Sequence, residues 1–304
     1  MYKHSTEHLL KNYEKIERVS SLVKKLMAPN PSPFTLYGTG TFIIGREQIC
    51  IIDPGPSIDS HINNLLNSID KEKISHIFIT HTHADHSPAA NFIKKATGAK
   101  TYAYNSYPKG ILGNRFEEAH DKNFIPDVKL KDNDIIKGKD WTVKAIHTPG
   151  HTSNHLCYAL EEEKILFTGD HVMGWATTVI VPPDGNMDEY ILSLKKLLLY
   201  DYNIYYPTHG SPIENPKKYV RGLIAHRKMR EVQILEELKK NSLCIDEMIP
   251  KFYSTTDKRL WPAASMSLFA TLLSLKKKKK ILCENDVLED NQKVWVYNNS
   301  KTKY

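Results

Sequence analysis

Residues 80–86 read Thr80-His81-Thr82-His83-Ala84-Asp85-His86, three imidazoles and a carboxylate in six residues. The apolar run Ile74–Ile79 before them reads as a β-strand, so the cluster stands at a strand's C-terminal end. Side chains alternate on extended backbone, so His81 and His83 point the same way and can grip one metal ion. Asp85 and His86 follow as the chain turns toward a helix opening near Pro88, a favoured first helical position. They can face a second ion. Packed together without metal, these groups would be costly to bury, and nothing about folding asks for them. Imidazole and carboxylate donors suit Zn²⁺ or a neighbouring first-row metal, Fe and Mn included.

Three further sites recur just past predicted strands, beside small residues that let a loop approach an ion. His151 stands in Thr148-Pro149-Gly150-His151-Thr152, Asp170 in Thr168-Gly169-Asp170-His171, and His209 in Pro207-Thr208-His209-Gly210. Strands are expected at Phe42–Ile44, Gln48–Asp53, Ile74–Thr80, Thr142–Ile146, Lys164–Phe167 and Asn203–Tyr206. Helices are expected at 5–27, Ser60–Ile69, Pro88–Thr97 and Asp188–Leu199. The alternation indicates a layered α/β domain.

The pattern changes after Pro216. Lys217–Lys240, Ile245–Tyr253 and Pro262–Leu275 read as helices, then Lys279–Cys283 and Lys293–Tyr297 as strands around the acidic turn Glu284–Asp290. Helix, helix, helix, strand, turn, strand is the order of a winged helix. The expected domains are therefore 1–215 and 216–304. Charge divides at the same place. The formal net charge is +7, but residues 1–214 hold 23 basic and 25 acidic residues, whereas residues 215–304 hold 19 and 10. A basic module of this kind suits weak, non-specific polyanion binding. Its candidate phosphate contacts are Lys258, Arg259, Lys276, Lys277, Lys278, Lys279 and Lys280.

The ordered set His81-x-His83-x-Asp85-His86, His151, Asp170 and His209 resembles the metallo-β-lactamase fold superfamily over roughly residues 30–214. The resemblance implies an αββα sandwich with metals at one edge between the sheets. It implies that His81, His83 and His151 hold the first ion and that Asp85, His86 and His209 hold the second, with Asp170 bridging. Asp53, in Ile51-Ile52-Asp53-Pro54-Gly55, matches the family's first motif and would orient a ligand rather than bind metal. His155 and His171, near ligands in sequence, are candidates for supporting or substrate-facing roles. Over nearly the whole chain the sequence is similar to the subgroup that includes β-lactamase-like protein 2. The matching stretches are Ala28-Pro29-Asn30-Pro31, Thr39-Gly40-Thr41, Gly169-Asp170 with Thr177-Thr178, and His226-Arg227 with Arg230-Glu231. That subgroup has a C-terminal winged-helix-like domain and includes an endoribonuclease acting on single-stranded RNA.

Two zinc ions about 3.5–4 Å apart would lower a bridging water's pKa toward ~7 and supply hydroxide without a side-chain nucleophile. Asp85 could then orient that nucleophile and carry its proton. The residues exclude several relatives. Flavodiiron proteins carry Glu where His83 stands, and β-CASP nucleases insert a large cap between the later ligands. Glyoxalase II-type thioesterases usually have His at Thr82, and persulfide dioxygenases use one iron and lack the tail. Two substrate classes remain. One is single-stranded RNA, with the basic tail holding its backbone. The other is a small thioester, lactone or other ester, with the tail serving packing or homodimerisation. No apolar run approaches the roughly 18 residues of a membrane helix. Residues 1–17 carry Glu7, Glu14 and Glu17 and no apolar signal core, which argues against a secretory or transit peptide. With four dispersed cysteines, these features lead us to expect a cytoplasmic protein in a reducing compartment that does not enter membranes.

Overall fold

The computed structural model describes residues 13–108, 120–285 and 292–298. Its first compact unit contains two sheets. The larger runs in spatial order through β1 (Glu17–Arg18), β2 (Val23–Met27), β3 (Gly40–Ile44), β4 (Ile49–Ile52), β5 (Ile74–Phe78), β6 (Lys100–Ala103) and β7 (Val128–Lys129). Pairing is antiparallel from β1 to β4 and parallel from β4 onward. Parallel neighbours need crossovers, and α1 (Asp59–Asn67) and α2 (Ala90–Thr97) lie in the first two. The smaller sheet holds β8 (Ile135–Lys137), β9 (Thr142–His147), β10 (Leu156–Leu160), β11 (Ile165–Gly169) and β12 (Ile204–Pro207), ordered β12-β11-β10-β9-β8.

Alternation along β4 explains the layering. Cys50 and Ile52 enter one apolar core with Phe42, Ile44 and Phe78, facing Val143, Tyr158 and Phe167 of the smaller sheet. Ile49 and Ile51 enter a second core with Ile77 and Ile79, beneath Ile62 and Leu65 of α1 and Ala90 and Ile93 of α2. A strand buried on both faces reads as a continuous apolar run, which is why Ile49-Cys50-Ile51-Ile52 was recognisable. The mixed α/β class expected from sequence is the class found.

The expected helix over 5–27 is not formed in its described part. Residues 17–18 and 23–27 are strands, with Val23 opposite Ile44 and Met27 opposite Gly40; residues 5–12 lie outside the described residues. Val23 and Leu26 are three apart, so a helix would put them on one face, while a strand puts them on opposite faces. The structure takes the second option because each then meets a different core, Val23 that between the sheets and Leu26 that beneath the helices. Burial overrides the local helical spacing.

A second compact unit gathers Pro149–Ser153, Thr177–Tyr200 and Lys217–Tyr304. It is discontinuous in sequence, and α3 (Met187–Leu197) belongs to it. The others are α4 (Pro216–Leu238), α5 (Ile245–Phe252), α6 (Trp261–Lys277) and the antiparallel pair β13 (Ile281–Cys283) and β14 (Trp295–Tyr297). Ile234, Leu238, Met248, Leu268, Leu272, Leu275 and Trp295 form its core. Residues 286–290 of the expected acidic turn lie outside the described residues. Among the described residues no helix is long and apolar enough to cross a membrane.

His61 on α1 supplies a pH test of the first unit. It is fully buried, with Nε2 3.0 Å from the Pro54 carbonyl and 3.1 Å from Thr41 Oγ1. Burial pushes the ring down to about 4, against the opposing pull of the Pro54 carbonyl. The folded value lies below the unfolded one, so neutral His61 contributes stability above about pH 6.5 that is lost as pH falls toward 4. The displacement corresponds to ~3 kcal/mol. Denaturant titrations should show His61→Gln with a flatter stability profile across that window than the parent; parallel profiles would exclude His61 as the source.

Candidate metal centre

The site grows from the ends of β4, β5, β11 and β12. Asp53 follows β4 with a left-handed φ of 49°, a region Asp tolerates better than most residues. Its carboxylate is fully buried and accepts four hydrogen bonds. Oδ1 takes Thr80 N–H at 2.8 Å, while Oδ2 takes Thr80 Oγ1 at 2.7 Å, His86 Nδ1 at 2.8 Å and Thr208 Oγ1 at 3.3 Å. One acid thus ties the segments after β5 and β12 together. It also fixes a His86 tautomer in which Nε2 carries the lone pair.

Two groups of donors sit above this anchor. Donor atoms of His81, His83 and Asp170 lie within 4.8 Å of one another, and those of Asp85, His86 and His209 form a second such group. His81 Nε2 and His83 Nδ1 are 2.8 Å apart, so these two atoms converge as alternation requires. Asp170 Oδ1 is 3.6 Å from His86 Nε2 and 3.4 Å from His209 Nε2. The carboxylate of the first group therefore also approaches the second. His209 Nδ1 donates to the Gly38 carbonyl at 3.0 Å, presenting Nε2 3.1 Å from Asp85 Oδ2. Asp85 Oδ2 accepts from Thr39 Oγ1 at 2.9 Å.

Asp170 is positioned through its backbone. Its N–H donates to His155 Nε2 at 3.2 Å, and His155 Nδ1 is 2.9 Å from Thr148 Oγ1. Gly169 (φ 51°) makes this approach possible, since a Cβ there would stand 2.6 Å from His155 Nε2 and 2.9 Å from Thr80 Cβ. His171 is fully buried, its ring 5.8 Å from that of His155. His151 lies in the Pro149–Ser153 segment of the second unit. There the Val179 carbonyl holds Nδ1 at 2.7 Å, so Nε2 is the ring atom that could serve a metal.

The electrostatics are those of a cation site. Burial disfavours charge on His86, yet Asp85, Asp170 and Asp53 outweigh it and raise the ring well above its ordinary value. His209 is raised in the same way against burial, chiefly by Asp170 and Asp85. Burial would raise Asp85, but His86 and His209 hold it well below the usual carboxylate range. His86 Nε2 is buried and makes no hydrogen bond, an arrangement that native interiors avoid unless another partner is intended. Imidazole Nε2 atoms with fixed tautomers, grouped with carboxylates, fit first-row divalent metals.

The basic candidates fare unevenly. Lys278 Nζ lies 2.8 Å from Asp188 Oδ1 and 3.4 Å from Glu231 Oε1, and Arg259 pairs with Asp257 at 2.6 Å. Both charges are thus answered within the chain. Lys258 stands 5.6 Å from the Trp261 ring centroid. Lys277 and Lys279 are exposed, and Lys276 and Lys280 are half-buried. Sequence reasoning gave no role to Gly38, Thr39 or Thr208, although Thr39 and Thr208 stand inside motifs it singled out, because their contacts join distant segments. It also passed over His120, whose ring is 4.5 Å from that of His83. Thr80 sits inside the histidine motif, and its neighbours were the available clue.

Comparison with known proteins agrees with this geometry. Residues 35–209 match the family model described as the metallo-beta-lactamase superfamily. The chain is 30% identical to a beta-lactamase-like protein 2 homolog of Drosophila melanogaster over 88% of this chain and 91% of that one. It is also 30% identical to an atrochrysone carboxyl ACP thioesterase of a Cryptosporiopsis species, over 73% of this chain and 65% of that protein's length. Among solved structures, a beta-lactamase domain protein from Burkholderia ambifaria superposes with a TM-score of 0.78 at 17% identity, over 97% of this chain and 99% of that one. At that identity the likeness speaks for the fold.

Proposed function

The chain belongs to the metallo-beta-lactamase superfamily, and from that premise we propose that it is a binuclear zinc hydrolase cutting single-stranded RNA. The observation that carries the binuclear reading is Asp170, one carboxylate placed among the donors of the first group and within 3.6 Å of two imidazole nitrogens of the second. In this reading His81, His83 and His151 hold the first ion, Asp85, His86 and His209 the second, and Asp170 both. Bound ions would activate water and polarise the scissile group. The chain's own residues do the positioning. Asp53 aims His86, the Gly38 carbonyl aims His209, and His155 sets the backbone of Asp170. Asp85, held by Thr39, receives and carries the proton.

The RNA reading is supported by the basic surplus of residues 215–304. It is also supported by the extent of the match to the Drosophila protein, which runs through most of both chains. Helices α4, α5 and α6 and the strand pair β13–β14 of the second unit then act as a winged-helix module holding the strand. The second reading, hydrolysis of a thioester or other ester, is favoured by the fungal relative whose name is that of a thioesterase. A parallel assay decides. Metal-loaded protein is offered labelled single-stranded RNA and a panel of thioesters and lactones, with Asp85→Ala as the blank. RNA cleavage absent from the blank supports the first reading. Ester turnover with intact RNA replaces it by the second.

Metal uptake has its own expected signature. The neighbouring carboxylates raise His86 and His209, so protons compete with a metal ion for their Nε2 atoms, and affinity weakens as pH falls. Calorimetry in buffers of different ionisation enthalpy should show proton release near neutral pH. Uptake without proton exchange would contradict the assignment of both rings.

A further inference from the structure

On helix α4, Arg230 stands four residues from His226 and three from Arg227, spacings that make it a surface neighbour of both. Arg227 is only 7% exposed; its Nη2 donates to the Thr178 carbonyl and its guanidinium lies 5.4 Å from the Tyr190 ring centroid. The Arg230 guanidinium is stacked 4.4 Å from the centroid of Tyr253 and 5.4 Å from that of Phe252. Burial, then the positive charges of Arg227 and Arg230, push the His226 ring below its ordinary value. All these contacts lie within the second unit.

Among the described residues no carboxylate pairs with Arg227 or Arg230, whereas their neighbours Lys228 and Lys278 both pair with Glu231. Buried His226 Nδ1 and Arg230 Nε make no hydrogen bond. Guanidinium groups drawn partly out of water without an anion are unfavourable. Stacking on Tyr253 and Phe252 covers the Arg230 Nε region and immobilises the planar fork, so little side-chain freedom remains to be lost when an oxyanion meets its outer nitrogens. Arg matches phosphate geometry in a way that the flexible Lys run does not.

We propose that His226, Arg227 and Arg230 form a phosphate-binding site; its assignment to an RNA backbone phosphodiester rests on the RNA reading above. The phosphopantetheine arm of an acyl thioester carries the same chemical group, and the test separates the two. Full-length protein is kept in chelator so that RNA is bound and not cut. Binding of labelled single-stranded RNA, coenzyme A and inorganic phosphate is then measured for the parent, Arg230→Gln, Arg230→Lys, His226→Gln and a Lys71→Gln/Lys73→Gln control. Arg230→Gln should weaken RNA binding about tenfold, the loss of one charge-assisted contact. It should also lower the slope of log affinity against log salt by about one. Inorganic phosphate should compete with RNA in the parent more strongly than in Arg230→Gln. Arg230→Lys should fall between the two, and it and His226→Gln carry the comparison should thermal melting show Arg230→Gln unfolded. Unchanged RNA, coenzyme A and phosphate binding in the α4 variants overturns the site. RNA binding that is tight but indifferent to these variants overturns the site and leaves the RNA reading standing. Arg230-dependent binding of coenzyme A without RNA binding keeps the site and overturns the RNA reading.

Discussion

Asp85→Ala should leave a folded protein that turns over substrate about 10²–10⁴-fold more slowly, the usual loss when a positioned proton carrier is removed. The carboxylate is one of three donors in the second group and stands 3.1 Å from His209 Nε2 and 3.4 Å from His86 Nε2. Its removal takes away a proposed ligand and part of the charge that raises both rings. Metal content by elemental analysis should fall from about two equivalents toward one, with the first group still filled. Asp85→Asn separates the two roles, since it keeps an acceptor for Thr39 Oγ1 and loses the charge. Exhaustive chelation of the parent should abolish turnover, and metal should restore it. Full turnover in the chelated protein, or an Asp85→Ala variant as fast as the parent, would end the proposed mechanism.

The second large effect concerns a residue that we place outside the ligand set. Asp53→Ala leaves Thr80 N–H, Thr80 Oγ1, His86 Nδ1 and Thr208 Oγ1 without their common acceptor in a fully buried setting. Breaking a buried hydrogen-bonded charge network from one side costs about 3–5 kcal/mol. Loss of the partner that orients His86 should also weaken metal binding about 10–100-fold. The denaturation midpoint and a chelator-competition titration read the two effects separately. Asp53→Asn keeps one acceptor oxygen and tolerates the positive φ, so it should be intermediate in both. An alanine variant with parental stability and metal affinity would show that the site does not depend on this anchor.

Much of the site could be read from the chain because its information is local. His81 and His83 are two residues apart at a strand end, so backbone alternation alone aims them together. Asp170 and His209 follow β11 and β12 with small neighbours. The core strands were legible for a related reason: β4 is apolar on both faces and has no other stable place. β10, equally apolar as Leu156-Cys157-Tyr158-Ala159-Leu160, was passed over because no Pro-Gly turn like Pro54-Gly55 closes it, and without such punctuation a short apolar run fits a strand or a buried helix alike. The segment 17–27 failed in the opposite direction, since its apolar spacing suits a helix until two cores on opposite sides of one sheet compete for Val23 and Leu26.

Sequence by itself determined which chemistry this chain can support. The types, order and strand-end positions of His81, His83, Asp85, His86, His151, Asp170 and His209 specify metal donors, because a side chain's ligating atoms belong to it wherever it is placed. Only the tertiary structure decided how those donors are aimed and which charges remain available. Asp53 reaches Thr80, His86 and Thr208 across 27, 33 and 155 residues of chain. Among the described residues, Lys278 and Arg259 are answered by carboxylates, and Arg227 and Arg230 are not. Hydrogen bonds and ion pairs act over a few ångströms, so their partners are set by folded distance, which a linear pattern does not contain.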